Sequence, residues 1–141
     1  MKRLAVDYGK RRAGLAVTDN EGKIIMPYKV IVYKNSESFI KQIIEEIKKL
    51  LPSEIVFGLP LNMDGSESEM SGEVRRLAKK IEREMKIKIV FYDERLTTFE
   101  AKEMLTMQGI SAKRQKEIID MYAAYCILKS YISEKEETKD D

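Results

Sequence analysis

The chain has no histidine and a single cysteine, Cys126, among 141 residues. The first absence removes imidazole as a general base, as a partner for a nucleophile and as a metal ligand. The second excludes an internal disulfide and any Cys-rich zinc site. Apolar runs are a few residues long and broken by charge, so no segment reads as a transmembrane span. The start Met1-Lys2-Arg3-Leu4 lacks the apolar region and small-residue cleavage site of a secretory signal. The expected location is cytoplasmic, with no membrane partner. No internal repeat is visible. Chemistry in such a chain falls to carboxylates, Lys, Arg, Tyr, Ser and Thr, and a bound cation should be hard and oxygen-liganded, such as Mg²⁺ or Mn²⁺.

Charge, by contrast, is plentiful: 35% of residues are Asp, Glu, Lys or Arg, with a net of +2. The segment from Glu134 to Asp141 holds five acids and two lysines, which leaves the body with 24 basic and 19 acidic side chains. That is a mild lean toward polyanions. A mass of 16.4 kDa fits one domain, expected over residues 1–133, with 134–141 as an acidic, frayed and solvated end.

The organising stretch is Lys2 to Ala16. Leu4-Ala5-Val6 is the short apolar run of a strand buried on both faces, and it ends in Asp7-Tyr8-Gly9. Gly9 opens a tight turn, Lys10, Arg11 and Arg12 form its basic tip, and Ala13 to Thr18 return as a second strand kept slim by Gly14 and Ala16. The Asp19-Asn20-Glu21-Gly22 turn leads to a third strand, Lys23 to Tyr33, with Pro27 at a bulge or an edge.

Asn35 or Ser36 can cap a first helix that Pro52 ends, and Glu54 to Leu59 forms a fourth strand, parallel to the first. Ser66 with Glu69 matches a capping box for a second helix, whose stripe is Met70, Val74, Leu77, Ala78, Ile81 and Met85. Lys88 to Tyr92 is a fifth strand running into Asp93-Glu94-Arg95. Thr97 with Glu100 suggests another capping box for a short helix closed by Gly109, and Ser111 can cap a last helix reaching about Ile132. The fold class is therefore α/β, with a mixed five-stranded sheet of three antiparallel strands and two parallel ones alternating with helices.

Acids stand at strand ends, at Asp7 and at Asp93 or Glu94, where open α/β sheets carry their sites. Asp120 shares the apolar face of the last helix with Ala123, Ala124, Ile127, Leu128 and Tyr131. A carboxylate in that phase is costly unless it is paired or bound to metal. If the three converge, they can hold two divalent ions about 4 Å apart for in-line phosphodiester hydrolysis, with no need of histidine.

Four motifs, in order, are Asp7-Tyr8-Gly9-x-x-Arg12-x-Gly14-x-Ala16, Gly58-Leu59-Pro60-x-Asn62-x-Asp64-Gly65, Asp93-Glu94-Arg95-Leu96-Thr97-Thr98 and Asp120-x-x-Ala123-Ala124. Together they closely resemble the YqgF (RuvX) family, over nearly the whole chain. The resemblance implies a ribonuclease H-like fold and a metal-dependent endonuclease. Family members are described as Holliday-junction resolvases by similarity to RuvC, and as nucleases that mature the 5′ end of 16S ribosomal RNA precursor. The second is the preferred function here. The implied catalytic and metal-binding acids are Asp7, Glu94 and Asp120, with two Mg²⁺ or Mn²⁺ ions expected, and Asp93 is close enough to share or exchange that role. Alternation along the strand lets only one of Asp93 and Glu94 face Asp7, and Glu94 is favoured. RuvC-type enzymes carry an acid at the end of the fourth strand, where this chain has Gly58.

For substrate binding the candidates are Arg12, Arg95, Asn62 and Lys10. Lys10 and Arg11 would serve equally as a solvated tip, Asn62 as a turn residue, and Arg95 as the partner of a nearby acid. Asp7 alone would read as a turn former before glycine; its place after a buried run argues for more. The expected partners are structured precursor rRNA, alternatively branched DNA, with ribosomal particles in addition, acting as a monomer or a homodimer. A non-catalytic nucleic-acid or ribosome-binding module of the same fold would ordinarily lack one of the acids, and none is missing. The Asp-x-Gly hairpin of the sugar-kinase and actin branch needs a second domain for which 141 residues leave no room.

Overall fold

Register between strands decides which side chains share a face, and here it sorts them by size. The computed structural model describes residues 1–139. It contains β1 (Arg3–Tyr8), β2 (Arg12–Thr18), β3 (Ile25–Val32), α1 (Ser36–Leu50), β4 (Glu54–Leu59), α2 (Glu69–Met85), β5 (Lys88–Asp93), α3 (Thr97–Met107) and α4 (Ala112–Lys139). The strands lie in the order β3-β2-β1-β4-β5. β1 pairs antiparallel with β2 and parallel with β4, and β4 pairs parallel with β5, as the strand–helix alternation of the sequence implies.

On one face Leu4, Val6, Tyr8, Leu15, Ile55 and Phe57 meet Phe39, Ile43 and Ile47 of α1 and Val74, Leu77 and Ile81 of α2. Each such large side chain, fully buried, contributes about 1.5–3 kcal/mol. The opposite face is nearly bare. Ala5 pairs with Ala16 and Val56, and Asp7 with Gly14, so small residues line the centre of the sheet beneath α4. There Ala124, Ile127, Leu128, Tyr131 and Ile132 close a second core over Ala5, Ala16 and Val56. The helix comes so near that a Cβ on Gly14 would lie 1.8 Å from the Asp120 carbonyl oxygen. No side chain other than hydrogen fits at that position.

Several local expectations change. β3 begins at Ile25, not Lys23, because the Lys23 and Ile24 amides donate to Asp19 Oδ1 at 2.8 and 3.2 Å and keep those residues in the turn. Pro27 lies on the edge strand and also beside a bulge: Leu15 pairs with Lys29 and Ala16 with Pro27, leaving Tyr28 extra. Asn35 caps α1, its side chain accepting from the Ser38 amide. The capping box of α2 is made by Ser68 and Ser71, whereas Ser66 is taken up by Asp64, to which both its amide and its hydroxyl donate. α3 has no side-chain cap; Thr97 is buried instead, its hydroxyl donating to the Glu94 carbonyl at 3.0 Å. Ser111 does accept from the Arg114 amide.

α4 continues past Ile132 to Lys139, through most of the segment expected to fray, and Asp140 and Asp141 lie outside the described residues. Among the described residues no helix is long and apolar enough to cross a membrane.

The contact at Gly14 makes a direct prediction. Gly14→Ala must push α4 off the sheet and should lower the urea-unfolding free energy by about 1–3 kcal/mol. An unchanged midpoint would show that the helix does not rest on this residue.

Candidate active site

The close approach of α4 has a consequence for charge. Asp7 projects from the same face as its cross-strand partner Gly14, and the backbone of Asp120 lies directly on that glycine, so the two carboxylates are brought side by side. The third acid arrives from the other flank. Glu94 follows β5 directly, its amide donating to the Leu59 carbonyl at 3.3 Å while its own carbonyl accepts from the amide and hydroxyl of Thr97. These bonds fix its backbone, and its side chain turns inward to be buried against Gly58. A Cβ on Gly58 would stand 2.8 Å from Glu94 Oε2 and 2.5 Å from Ile127 Cδ1. Gly58 thus leaves the room that the Glu94 carboxyl fills.

Asp7 and Glu94 are hydrogen-bonded through their carboxyls. Burial raises both, most strongly Glu94, which reaches about 10 under the added repulsion of Asp7 and Asp93. Asp7 rises to about 6, desolvation and the Asp120 charge outweighing the hydrogen bond from Glu94. Burial and mutual repulsion thus hinder ionisation of both carboxyls at once and favour a proton held between them. Asp120 is also raised by burial, against the lowering effect of Arg12, whose Nε lies 2.8 Å from Asp120 Oδ2. Among the described residues no N–H is aligned with that buried oxygen, so it is charge-paired there but not hydrogen-bonded.

The other expected residues are placed as follows. Asp93 does not join the cluster: it is exposed and held by Arg95, with Nε and Nη2 at 2.8 and 2.7 Å from Oδ2, which lowers its carboxyl. Arg95 also donates from Nη1 to the Met63 carbonyl at 2.9 Å, tying the β5 exit to the loop after β4. Asn62 staples that loop, donating from Nδ2 to Ser66 Oγ and the Glu67 carbonyl. Lys10 is exposed at the hairpin tip, and Arg12, at the start of β2, joins the acids.

One residue passed unnoticed in the sequence. Tyr33 is buried, its hydroxyl donating to the Gly9 carbonyl and its amide to the Arg11 carbonyl at 3.0 Å, so it grips the basic tip from beneath. Its ring packs with Tyr8 and Phe39. The pairing of Arg12 with Val32 would have placed Tyr33 opposite Arg11, but that register depends on the bulge at Tyr28.

Among the described residues no three His, Cys, Asp or Glu side chains already stand in ion-holding geometry. The chemistry nevertheless fits a divalent cation: the half-buried Asp7 and buried Glu94 carboxyls both have raised pKa values, and a third acid, Asp120, presents a buried oxygen lacking a hydrogen bond. Asp7, Glu94 and Asp120 are the residues that would hold it.

The fold is RuvC-like, of the ribonuclease H type. Among solved structures, Thermus thermophilus RuvC superposes with a TM-score of 0.60 at 14% identity, covering 94% of this chain and 97% of its own. Fowlpox virus resolvase, solved with a Holliday junction DNA, gives 0.63 at 10% identity, with 95% and 98% covered. These likenesses concern the fold alone. The chain belongs to the RuvX family, whose model, described as Holliday junction resolvase, matches residues 1–134. A relative from Carboxydothermus hydrogenoformans is 37% identical over 139 residues, covering 96% of this chain and 98% of that protein. One from Oleidesulfovibrio alaskensis is 32% identical over 139 residues, covering 99% and 96%. Both carry the provisional description of pre-16S rRNA nuclease. Membership makes this chain a nuclease, a hydrolase of phosphodiester bonds.

The raised carboxyls set a pH dependence. A group whose pKa is higher in the folded than in the unfolded chain gives stability that is full below the unfolded value and is lost as pH rises through the folded one. For Asp7 that loss runs from the ordinary carboxylate range to about 6, and for Glu94 on toward about 10. With divalent cations chelated, Glu94→Gln keeps a donor toward Asp7 without the cost of protonation. It should raise stability at pH 8 by about 1–3 kcal/mol and have little effect at pH 4.5 or so. Destabilisation at pH 8 in urea melts would contradict the shared proton.

Proposed function

We propose that this chain is a divalent-metal-dependent endonuclease that matures the 5′ end of 16S rRNA precursor in the cytoplasm, acting on the precursor or on ribosomal particles containing it. The observation that carries the reading is the pairing of half-buried Asp7 with buried Glu94, with Asp120 beside them, a crowding of carboxyls that a hard cation would relieve. Asp7, Glu94 and Asp120 would hold Mg²⁺ or Mn²⁺, as two ions on this reading. Bound there, the metal supplies a water of lowered pKa and stabilises the leaving oxygen.

The chain's own residues do the rest. Asp7 is held on the central strand, Glu94 is fixed through its backbone by Leu59 and Thr97, and Asp120 is carried by α4. Lys10 and Arg12 at the hairpin meet the phosphate backbone, with Tyr33 keeping their loop in place. Arg95 and Asn62 serve first to shape the loops on the far side of the site and only then to border the substrate.

The description of pre-16S rRNA nuclease borne by the full-length relatives supports the RNA substrate. The family description favours branched DNA as the second reading, which would need a C2 dimer to cut two related strands. Incubating the protein with precursor 16S RNA and a four-way DNA junction, with Mg²⁺ or Mn²⁺, tests both. Cleavage of the RNA that falls by about 10³-fold or more in Asp7→Asn is expected. Cleavage of the junction alone would establish the second reading, and equal activity in the two proteins would refute catalysis at this site.

A further inference from the structure

Arg12 and Asp120 have opposite demands on them. If Asp120 is to hold a cation, its carboxylate must be available; if Arg12 is to contact phosphate, its guanidinium must be available; in the structure each occupies the other at 2.8 Å. The pair is poorly made. Asp120 Oδ2 is buried yet receives no aligned hydrogen bond, while the Arg12 side chain is 47% exposed and the Asp120 side chain 23%. A half-exposed ion pair without an aligned hydrogen bond is weak and easily exchanged. The backbone beneath both residues is fixed, Arg12 beginning β2 and Asp120 resting on Gly14, so exchange requires only side-chain rotation.

We propose that Arg12 is an exchangeable counter-ion of Asp120, which couples entry of the metal to capture of the substrate phosphate. Before a cation binds, Arg12 neutralises Asp120 and is withheld from nucleic acid. A cation at Asp120 takes over the carboxylate and releases the guanidinium, whose planar fork suits a phosphate. By linkage, a phosphate that draws Arg12 away frees Asp120 for the cation to the same extent. Among the described residues the neighbouring Arg11 has no such partner: it is exposed, and its backbone carbonyl is engaged by the Tyr33 amide. The inference rests on Asp7, Glu94 and Asp120 being cation ligands.

The test reads binding, not turnover. Mn²⁺ titrations without nucleic acid compare the native chain with Arg12→Gln, Arg12→Lys, Arg11→Gln and Asp7→Asn. Affinity of a fluorescent four-way DNA junction is then measured with Ca²⁺ and with chelator. Arg12→Gln should bind Mn²⁺ about fivefold or more tightly than the native chain, and Arg12→Lys and Arg11→Gln within about twofold of it. Arg12→Gln should weaken junction binding about tenfold with Ca²⁺ and less than about twofold with chelator, since only released guanidinium can contribute. Equal tightening by Arg11→Gln would reduce the effect to general charge, and an equal loss of junction affinity in both conditions would show that Arg12 is always free; either overturns the proposal. If the native chain binds Mn²⁺ and Asp7→Asn does not, such a failure falls on the exchange alone. If the native chain binds no Mn²⁺, the metal-dependent reading fails and the exchange with it.

Discussion

Everything at this site depends on the contact between the backbone of α4 and the bare surface of β2 at Gly14. Three carboxylates repel one another, and burial makes each costlier to ionise, so no local preference of the chain would gather them. They are gathered by packing. The second core, built by Ile127, Leu128, Tyr131 and Ile132 over Ala5, Ala16 and Val56, draws the helix onto the sheet and carries Asp120 with it. On the other flank, parallel pairing of β4 with β5 brings Glu94 to the void left by Gly58. Apolar burial thus supports an electrostatic arrangement that is unfavourable on its own.

The molecule relieves that repulsion in two different ways. Between Asp7 and Glu94 it uses a proton, and at Asp120 it uses the guanidinium of Arg12. Both are removable at modest cost, which distinguishes the site from the structural carboxylates elsewhere. Glu46 accepts from Tyr28 and Lys29, and buried Glu54 is paired with Arg3 while also accepting from Tyr131. In those two cases hydrogen bonds and fixed cations hold the carboxyl below its ordinary range despite burial. The contrast is one of partner chemistry, since all these acids are buried or nearly so.

Much of this was legible in the amino-acid order. Hydrophobic alternation and the Gly9 turn marked the first hairpin, helical periodicity put Asp120 on the apolar face of its helix, and alternation allowed only one of Asp93 and Glu94 to face Asp7. What remained hidden depended on contacts distant in sequence. Gly58 looked like a missing acid until Glu94 was found filling its space, and Tyr33 gave no sign of holding the basic tip because the bulge at Tyr28 sets its register. Local capping patterns misled where tertiary contacts competed: Ser66 was claimed by Asp64, and Thr97 by the carbonyl of Glu94. Arg12 was recognisable as a phosphate candidate, but its engagement with Asp120 is a property of the folded chain alone.

The central claim is that Asp7, Glu94 and Asp120 form one cation site, and its most direct measurement is anomalous diffraction from crystals soaked in Mn²⁺. The account predicts a peak bounded by these three carboxylates, with Arg12 turned away from Asp120 and Asp93 still paired to Arg95. A peak elsewhere, or none at this cluster at saturating Mn²⁺ with all three carboxylates in their present positions, would contradict it.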